Sequence, residues 1–183
     1  YKSFTSGGGV RFGLPIAEDE TMHYGLSAEQ STYELTTSSP LQFQNYVNTF
    51  GATTDNLLGT VGWTRDSRDS AIYPTGGKMQ RAFLEVALPV SDQRYYKLTY
   101  QHQRFYPLSR TFTLLLNGEA GTAGGYDDKP LPFFKNFYAG GIGSVRGYSP
   151  NSIGPRDING AYLGGDKRMI GNAEMLFPMP GYD

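Results

Sequence analysis

Residues 96–106 read YKLTYQHQRFY, and the order of side chains in this stretch decides the predicted fold. Tyr96, Leu98 and Tyr100 are aromatic or aliphatic, whereas the residues between them are polar. Successive side chains of a β-strand point to opposite faces of the sheet. The period of two therefore predicts a strand with one apolar face and one polar face.

The same alternation appears on both sides of this stretch. It occupies six further segments, which are residues 9–16, 22–29, 57–64, 81–88, 112–120 and 172–177. Residues rich in Gly, Pro, Asp and Ser separate these segments, as expected for turns. The sequence therefore predicts an all-β fold with about seven antiparallel strands.

The predicted connections differ in length. Residues 17–21, 89–94 and 107–110 are short turns, whereas residues 30–56 and 126–170 are long. Short turns at one end and longer loops at the other are typical of outer-membrane barrels. We expect an antiparallel transmembrane β-barrel, represented here by a partial barrel of about seven strands with one very long loop.

The alternation alone leaves a second architecture open. Polar residues such as Lys97, Gln101 and Glu119 suit a watery lumen, and Tyr and Phe near the strand ends suit an aromatic girdle. A sheet with one face in water alternates in a similar way. A soluble β-sandwich that binds sugars through exposed aromatics is the alternative, and it would stay monodisperse without detergent.

The composition excludes several classes of protein. The net charge of the 183 residues is −1 with a pI near 6.2, which gives no electrostatic case for binding nucleic acid. The chain has no cysteine, so it has no disulfide and no thiolate site. No run of about eighteen apolar residues is present, so no membrane-spanning helix is predicted. The mean hydropathy of −0.44 still allows membrane strands, because their residues alternate.

No residue pattern in the sequence predicts catalysis, a metal site or a cofactor. His23 and His102 lie on different predicted strands and have no carboxylate at ligand spacing. Residues 7–9 are three glycines without the Lys-Ser/Thr ending of a phosphate loop. No serine lies in a Gly-x-Ser-x-Gly turn. We therefore expect no enzyme activity, no metal and no cofactor.

The longest connection carries the most informative residues. Connections in compact domains usually have two to six residues, and disordered segments are poor in aromatics, whereas this one contains FFKNFY at residues 133–138. Arg146 lies between Val145 and Gly147, where the glycine allows a sharp turn. A guanidinium held out of bulk water needs a carboxylate or several acceptors. The loop is therefore predicted to fold back with Arg146 pointing into the protein.

Three stretches resemble the outer-membrane barrel-assembly insertases, the BamA-like family. Residues 133–141, followed by SVRGY at 144–148 and IGP at 153–155, resemble the sixth extracellular loop of that family. Residues 66–77 resemble the turn after an earlier strand, and residues 172–178 resemble the strand after the long loop. The resemblance covers most of the chain from Gly7 onward.

The resemblance implies a docked loop. The tip, which consists of Val145, Arg146, Gly147 and Tyr148, would lie on the inner wall of the barrel, and Arg146 would pair with Glu174. The alternation separately places Glu174 on the polar face of its predicted strand. A second carboxylate partner would lie beyond Asp183 in such a protein.

The resemblance also implies the domain organisation. Residues 1–183 would be a fragment of a C-terminal outer-membrane β-barrel domain, with the long extracellular loop at about 126–170. The N-terminal POTRA domains and the remaining strands of the family's barrel are expected to be absent from this fragment.

The resemblance finally implies a function. We expect a factor that folds and inserts β-barrel proteins into the outer membrane of a Gram-negative bacterium. Its partners would be the lipid bilayer, unfolded outer-membrane clients and periplasmic assembly lipoproteins. The alternative is a two-partner secretion or translocation-and-assembly transporter of the same superfamily.

Overall fold

The computed structural model describes residues 2–36 and 39–178, and these residues form one seven-stranded antiparallel sheet. Each strand pairs with the next strand along the chain, so the sheet order is β1 to β7. The strands are β1 Lys2–Ala17, β2 Glu20–Glu34, β3 Thr53–Asp66, β4 Gly77–Ala87, β5 Tyr95–Pro107, β6 Thr113–Gly125 and β7 Lys167–Leu176. The predicted number of strands and their antiparallel order are confirmed.

The register confirms the two faces predicted from the alternation. Ala82 pairs with Tyr100, and Tyr100 pairs with Ala120, so these three side chains share one face. Apolar side chains on this outer face remain accessible; for example, Phe12 is 65% exposed and Val10 is 60% exposed. The opposite, inner face is the one on which the long loop between β6 and β7 packs, as described below.

A helix was not predicted. Residues 30–56 were expected to be a connection, but β2 continues to Glu34 and helix α1 spans Leu41–Phe50. An isolated helix of ten residues is only marginally stable, so its local sequence signal is weak. Phe43 is the buried residue of the helix, and it packs against aromatic residues that lie about ninety positions later in the chain.

The two ends of the sheet carry different connections. Residues 35–52, 88–94 and 126–166 lie at one end, here called the long-loop end, and residues 18–19, 67–76 and 108–112 lie at the other, the short-turn end. The predicted segregation of short and long connections is therefore incomplete. Residues 88–94 form a short turn that shares its end with the two long loops.

The largest buried cluster joins these two long loops. It contains Tyr33 of β2, Phe43 of α1, and Phe133 and Leu163 of the long loop. The Phe43 and Phe133 rings stack with their centroids 4.2 Å apart. A second, smaller cluster lies on the sheet and is covered by the long loop through Leu131. The hydrophobic core therefore lies between the inner face and its loops, and not between two sheets.

Within residues 2–36 and 39–178, no helix is both long and apolar enough to cross a membrane.

Candidate functional site

The long loop, residues 126–166, folds back on itself before β7 begins. Phe137 and Gly165 exchange two backbone hydrogen bonds of 2.8 and 2.9 Å. The side chain of Asn136 donates to the carbonyl oxygen of Leu163 at 2.8 Å. These bonds close the base of the loop and bring residues 136–137 beside residues 163–165.

The ring of Phe137 lies directly on the inner face of β6. A Cβ atom at Gly121 would be 2.6 Å from atom Cζ of this ring, which is closer than real contacts allow. Phe137 is only 6% exposed. The glycine thus creates the recess that seats the ring, and a larger residue at position 121 would push the loop off the sheet.

Two cationic side chains contact this ring. The Nζ atom of Lys97 lies 4.4 Å from the centroid of the Phe137 ring and donates to the carbonyl oxygen of Lys135 at 2.8 Å. Arg168 also contacts the ring, donates to the carbonyl oxygen of Tyr138 at 3.0 Å and pairs with Glu119 at 2.8 Å. Lys97 and Arg168 therefore hold the loop at Phe137 both by cation–π attraction to the ring and by hydrogen bonds to the loop backbone.

An ion pair fixes the loop to a more distant strand. The Nζ atom of Lys135 lies 2.6 Å from Oε1 of Glu85 on β4, and both side chains are mostly buried. The hydroxyl of Tyr95 donates to the same carboxylate oxygen at 2.8 Å. We call this set the base anchor, defined by Glu85, Tyr95, Lys97, Glu119, Gly121, Lys135, Phe137 and Arg168.

The base anchor was not identified from the sequence. The sequence contained one indication of it, because the alternation places Glu85, Lys97 and Glu119 on the polar face. It does not indicate which loop residue meets which strand, because that depends on the register of four strands and on the path of the loop.

The loop tip reaches the predicted partner. Nη2 of Arg146 lies 3.3 Å from Oε2 of Glu174 on β7. The side-chain amide of Asn172 donates to the carbonyl oxygen of Ser144 at 3.1 Å, so two consecutive inner-face residues of β7 contact the tip. Gly147 has a φ of +87°, a conformation that favours glycine at this turn.

The exposure of the tip refers to an open sheet. A guanidinium held out of bulk water was expected in the barrel, and in this seven-stranded sheet the Arg146 side chain is 68% exposed and Tyr148 is 59% exposed. The tip borders a polar pocket of about 200 Å³ against the inner faces of β5, β6 and β7. The functional role of Val145, Arg146, Gly147, Tyr148 and Glu174 stays a prediction.

A second, self-contained turn lies at the short-turn end, in residues 66–77. Asp69 accepts a backbone hydrogen bond from Thr75 at 2.9 Å and a second hydrogen bond from the Thr75 hydroxyl. These hydrogen bonds lower the pKa of Asp69 from 3.8 to about 2. Asp66 and Arg68 form an ion pair of 2.6 Å beside it.

The two histidines lie apart. His23 pairs with Gly13 and Gly62 in the register, which places it on the inner face, whereas His102 pairs with Gln80 on the outer face. In the part of the chain that the structure describes, no three His, Cys, Asp or Glu side chains are placed to hold a metal ion.

The fold and the inner loop define a class of protein. An open antiparallel sheet with an apolar outer face, a polar inner face and a long loop packed on the inner face is a segment of a transmembrane β-barrel wall. The Omp85 superfamily domain matches residues 1–183, and the chain belongs to this superfamily.

Relatives named as assembly factors match nearly the whole chain. The outer membrane protein assembly factor BamA of Neisseria meningitidis is 43% identical over 99% of this chain, and BamA of Nitratidesulfovibrio vulgaris is 30% identical over 94%. A SAM50-like protein of Schizosaccharomyces pombe is 35% identical over 66% of it. The matched regions are 24%, 22% and 26% of those proteins, so the chain spans about a quarter of the relatives' length.

A solved structure matches the whole sheet. The crystal structure of BamA from Haemophilus ducreyi lacking POTRA domains 1-3 superposes with a TM-score of 0.91 at 23% identity, and the match covers 100% of this chain and 39% of that one. The predicted BamA-like family, the partial-barrel fold and the outer-membrane location are confirmed. The soluble β-sandwich was wrong, because the residues form one sheet whose apolar face points outward.

Proposed function

We propose that this chain is the central wall of an outer-membrane barrel that folds and inserts β-barrel proteins into the outer membrane of a Gram-negative bacterium. The observation that carries the proposal is the long loop fixed to the inner face, with Arg146 3.3 Å from Glu174, in a chain 43% identical to an assembly factor. The matches to assembly factors over 99% and 94% of the chain favour this function over the transporter alternative.

The proposed mechanism uses conformational change and no bond chemistry. The base anchor holds the loop, and the Arg146–Glu174 pair sets the position of the tip. A hydrogen-bonded Arg–carboxylate pair fixes geometry more reliably than it adds stability, so its main contribution is to fix the geometry of the tip. The partners of the complete protein would be the lipid bilayer, unfolded outer-membrane clients and periplasmic assembly lipoproteins, with no cofactor or metal.

We further propose that residues 1–183 correspond to the central strands of a C-terminal barrel domain. In this arrangement residues 126–166 are extracellular, and POTRA domains and the remaining strands belong to other parts of the complete protein. Limited proteolysis of intact cells should cut within this loop and spare the short-turn end.

The Arg146→Ala variant of the complete protein tests the role of the tip. In lipid vesicles the wild type should accelerate the folding of an added client barrel above the rate in protein-free vesicles, measured by protease protection of the client. Arg146→Ala should lower this rate several-fold, and the exchange Arg146→Glu with Glu174→Arg should recover part of it. Arg156→Ala is the matched control, because Arg156 stacks on Tyr162 within the loop.

The outcomes separate two failures. A wild-type protein that does not accelerate client folding contradicts the assembly function itself. An active wild type with an equally active Arg146→Ala variant contradicts only the role of the tip.

A further inference from the structure

The outer face carries two cations that oppose each other directly. Lys78 of β4 and Arg104 of β5 are partners in the register. Their neighbours Met79 and Phe105 are buried on the inner face, so both cations project from the outer face. Directly opposed side chains in an antiparallel pair have Cβ atoms about 5 Å apart, and like charges in this position repel each other.

No carboxylate within the described residues relieves this repulsion. The ion pairs of residues 2–36 and 39–178 include neither Lys78 nor Arg104. Arg65, one strand away, shows the contrast, because it pairs with Asp19 at 2.9 Å and with Glu20 at 3.2 Å. Arg104 contacts the Tyr106 ring, 5.2 Å from its centroid, and the rest of its exposed side chain faces outward.

On β4 and β5 the two cations lie beyond the apolar band, whereas on β6 and β7 the outward residues Leu116, Leu114 and Met175 extend that band further toward the short-turn end. Toward the long-loop end, the outward residues of β4 are Ala82, Leu84 and Val86. The row that contains Ala82 and Tyr100 also contains Trp63. Trp and Tyr are enriched at membrane–water interfaces, so on β3 to β5 this row lies near the edge of the hydrocarbon region. Lys78 and Arg104 lie two rows further toward the short-turn end. The residue opposite Arg104 on β6 is Leu116, so the pair lies at the boundary between the apolar band and the headgroups.

We propose that Lys78 and Arg104 bind the phosphate group of a membrane lipid in the leaflet at the short-turn end. A phosphate between the cations replaces their repulsion with two charge-assisted contacts. The Arg104 guanidinium donates a bidentate pair of hydrogen bonds, and the Lys78 ammonium supplies a compact positive charge. The lipid chains of such a ligand continue along the apolar band. This site is on the opposite face of the sheet from the long loop and does not depend on the assembly function.

Native mass spectrometry of the complete protein tests this inference. The protein is reconstituted with phosphatidylglycerol, extracted in detergent, and the retained lipid is counted. The double variant Lys78→Gln/Arg104→Gln should retain this lipid with an affinity lowered about a hundred-fold, because it removes both charge-assisted contacts and each contributes about ten-fold. Arg81→Gln is the matched control, because Arg81 lies on the same strand but on the inner face. Equal retention by the double variant and the wild type would overturn the inference.

Two wild-type measurements keep the test decisive if the double variant does not fold. The wild type should retain phosphatidylglycerol in preference to monogalactosyldiacylglycerol, which has no phosphate, and equal retention of both lipids overturns the inference. Inorganic phosphate in excess should leave the retained lipid in place. Its displacement by free phosphate would identify a site for small anions instead of a lipid headgroup, and would also contradict the inference.

Discussion

Lys135 carries the ion pair that links the long loop to β4. Removing its charge leaves the Glu85 carboxylate, whose side chain is 19% exposed, without its closest partner. A hydrogen bond to a charged group contributes about 1.5–3 kcal/mol, and the cost rises when the remaining charge stays poorly hydrated. Lys135→Met should therefore loosen the base of the loop by about this amount.

Limited proteolysis of the folded protein measures this effect as the rate of cleavage within residues 126–166. The double variant Lys135→Met/Glu85→Gln should cleave more slowly than Lys135→Met, because no unpaired carboxylate remains. Arg156→Met serves as the control for removing a loop cation. A Lys135→Met loop as resistant as the wild-type loop would contradict a stabilising role of the Lys135–Glu85 pair.

Asp69 makes the turn at residues 67–76 sensitive to acid. Its pKa is about 2 in the folded protein, below the ordinary value of 3.8 for an aspartate, so the folded turn favours the ionised carboxylate. The stabilisation is complete above pH 3.8 and is lost as the pH falls towards 2. The protection factor of the Thr75 amide in hydrogen exchange should decrease over this range, and Asp69→Asn should remove the pH dependence. A constant protection factor in the wild type would contradict the assigned hydrogen bonds.

At the scale of elements, α1 depends on a residue far away in the sequence. Phe43 is 4% exposed and stacks on Phe133, so the helix is held by the long loop. A buried Phe→Ala change costs about 3–5 kcal/mol, which exceeds the stability of an isolated ten-residue helix. Phe43→Ala should therefore unfold α1 locally and leave the sheet intact.

The hydrogen-exchange rates of the α1 amides measure this local unfolding. Leu41→Ala is the control on the same helix, because Leu41 is 46% exposed and its truncation removes little buried area. Fast exchange of the α1 amides in Phe43→Ala, with unchanged exchange in β3, is the expected result. Equal exchange in the two variants would mean that the helix is stable without its contact to the long loop.

At the scale of the whole molecule, a charged side chain should destabilise the protein more on the outer, lipid-facing side of the sheet than on the inner side. Leu84 lies on the outer face, and its neighbour Phe83 lies on the inner face and is 38% exposed. Arginine on the lipid face of a barrel costs about 2–4 kcal/mol at the bilayer midplane and about 0–1 kcal/mol near the interfaces. Leu84 lies one row inside the interfacial row of Ala82, so Leu84→Arg should lower the free energy of unfolding of the complete protein in lipid vesicles by about 1–2 kcal/mol, and Phe83→Arg should lower it by less than half as much. Equal losses would contradict the assignment of the faces.

The residues that share a face were predictable from the sequence, and the residues that meet across strands were not. Arg146 and Glu174 were paired by resemblance and by the alternation, and the structure brings them to 3.3 Å. The pair of Lys135 with Glu85 was missed, because fifty residues and several strand registers separate the two.

The sequence by itself determined seven strands, their antiparallel order and the side on which each residue projects. These properties follow from a local period of two, which a chain expresses before any long-range contact forms. Only the tertiary structure decided that α1 exists, that a short turn lies beside the long loops, and that Gly121 seats Phe137. Each of these depends on distant residues that meet only when the sheet has its register and the loop has folded onto it.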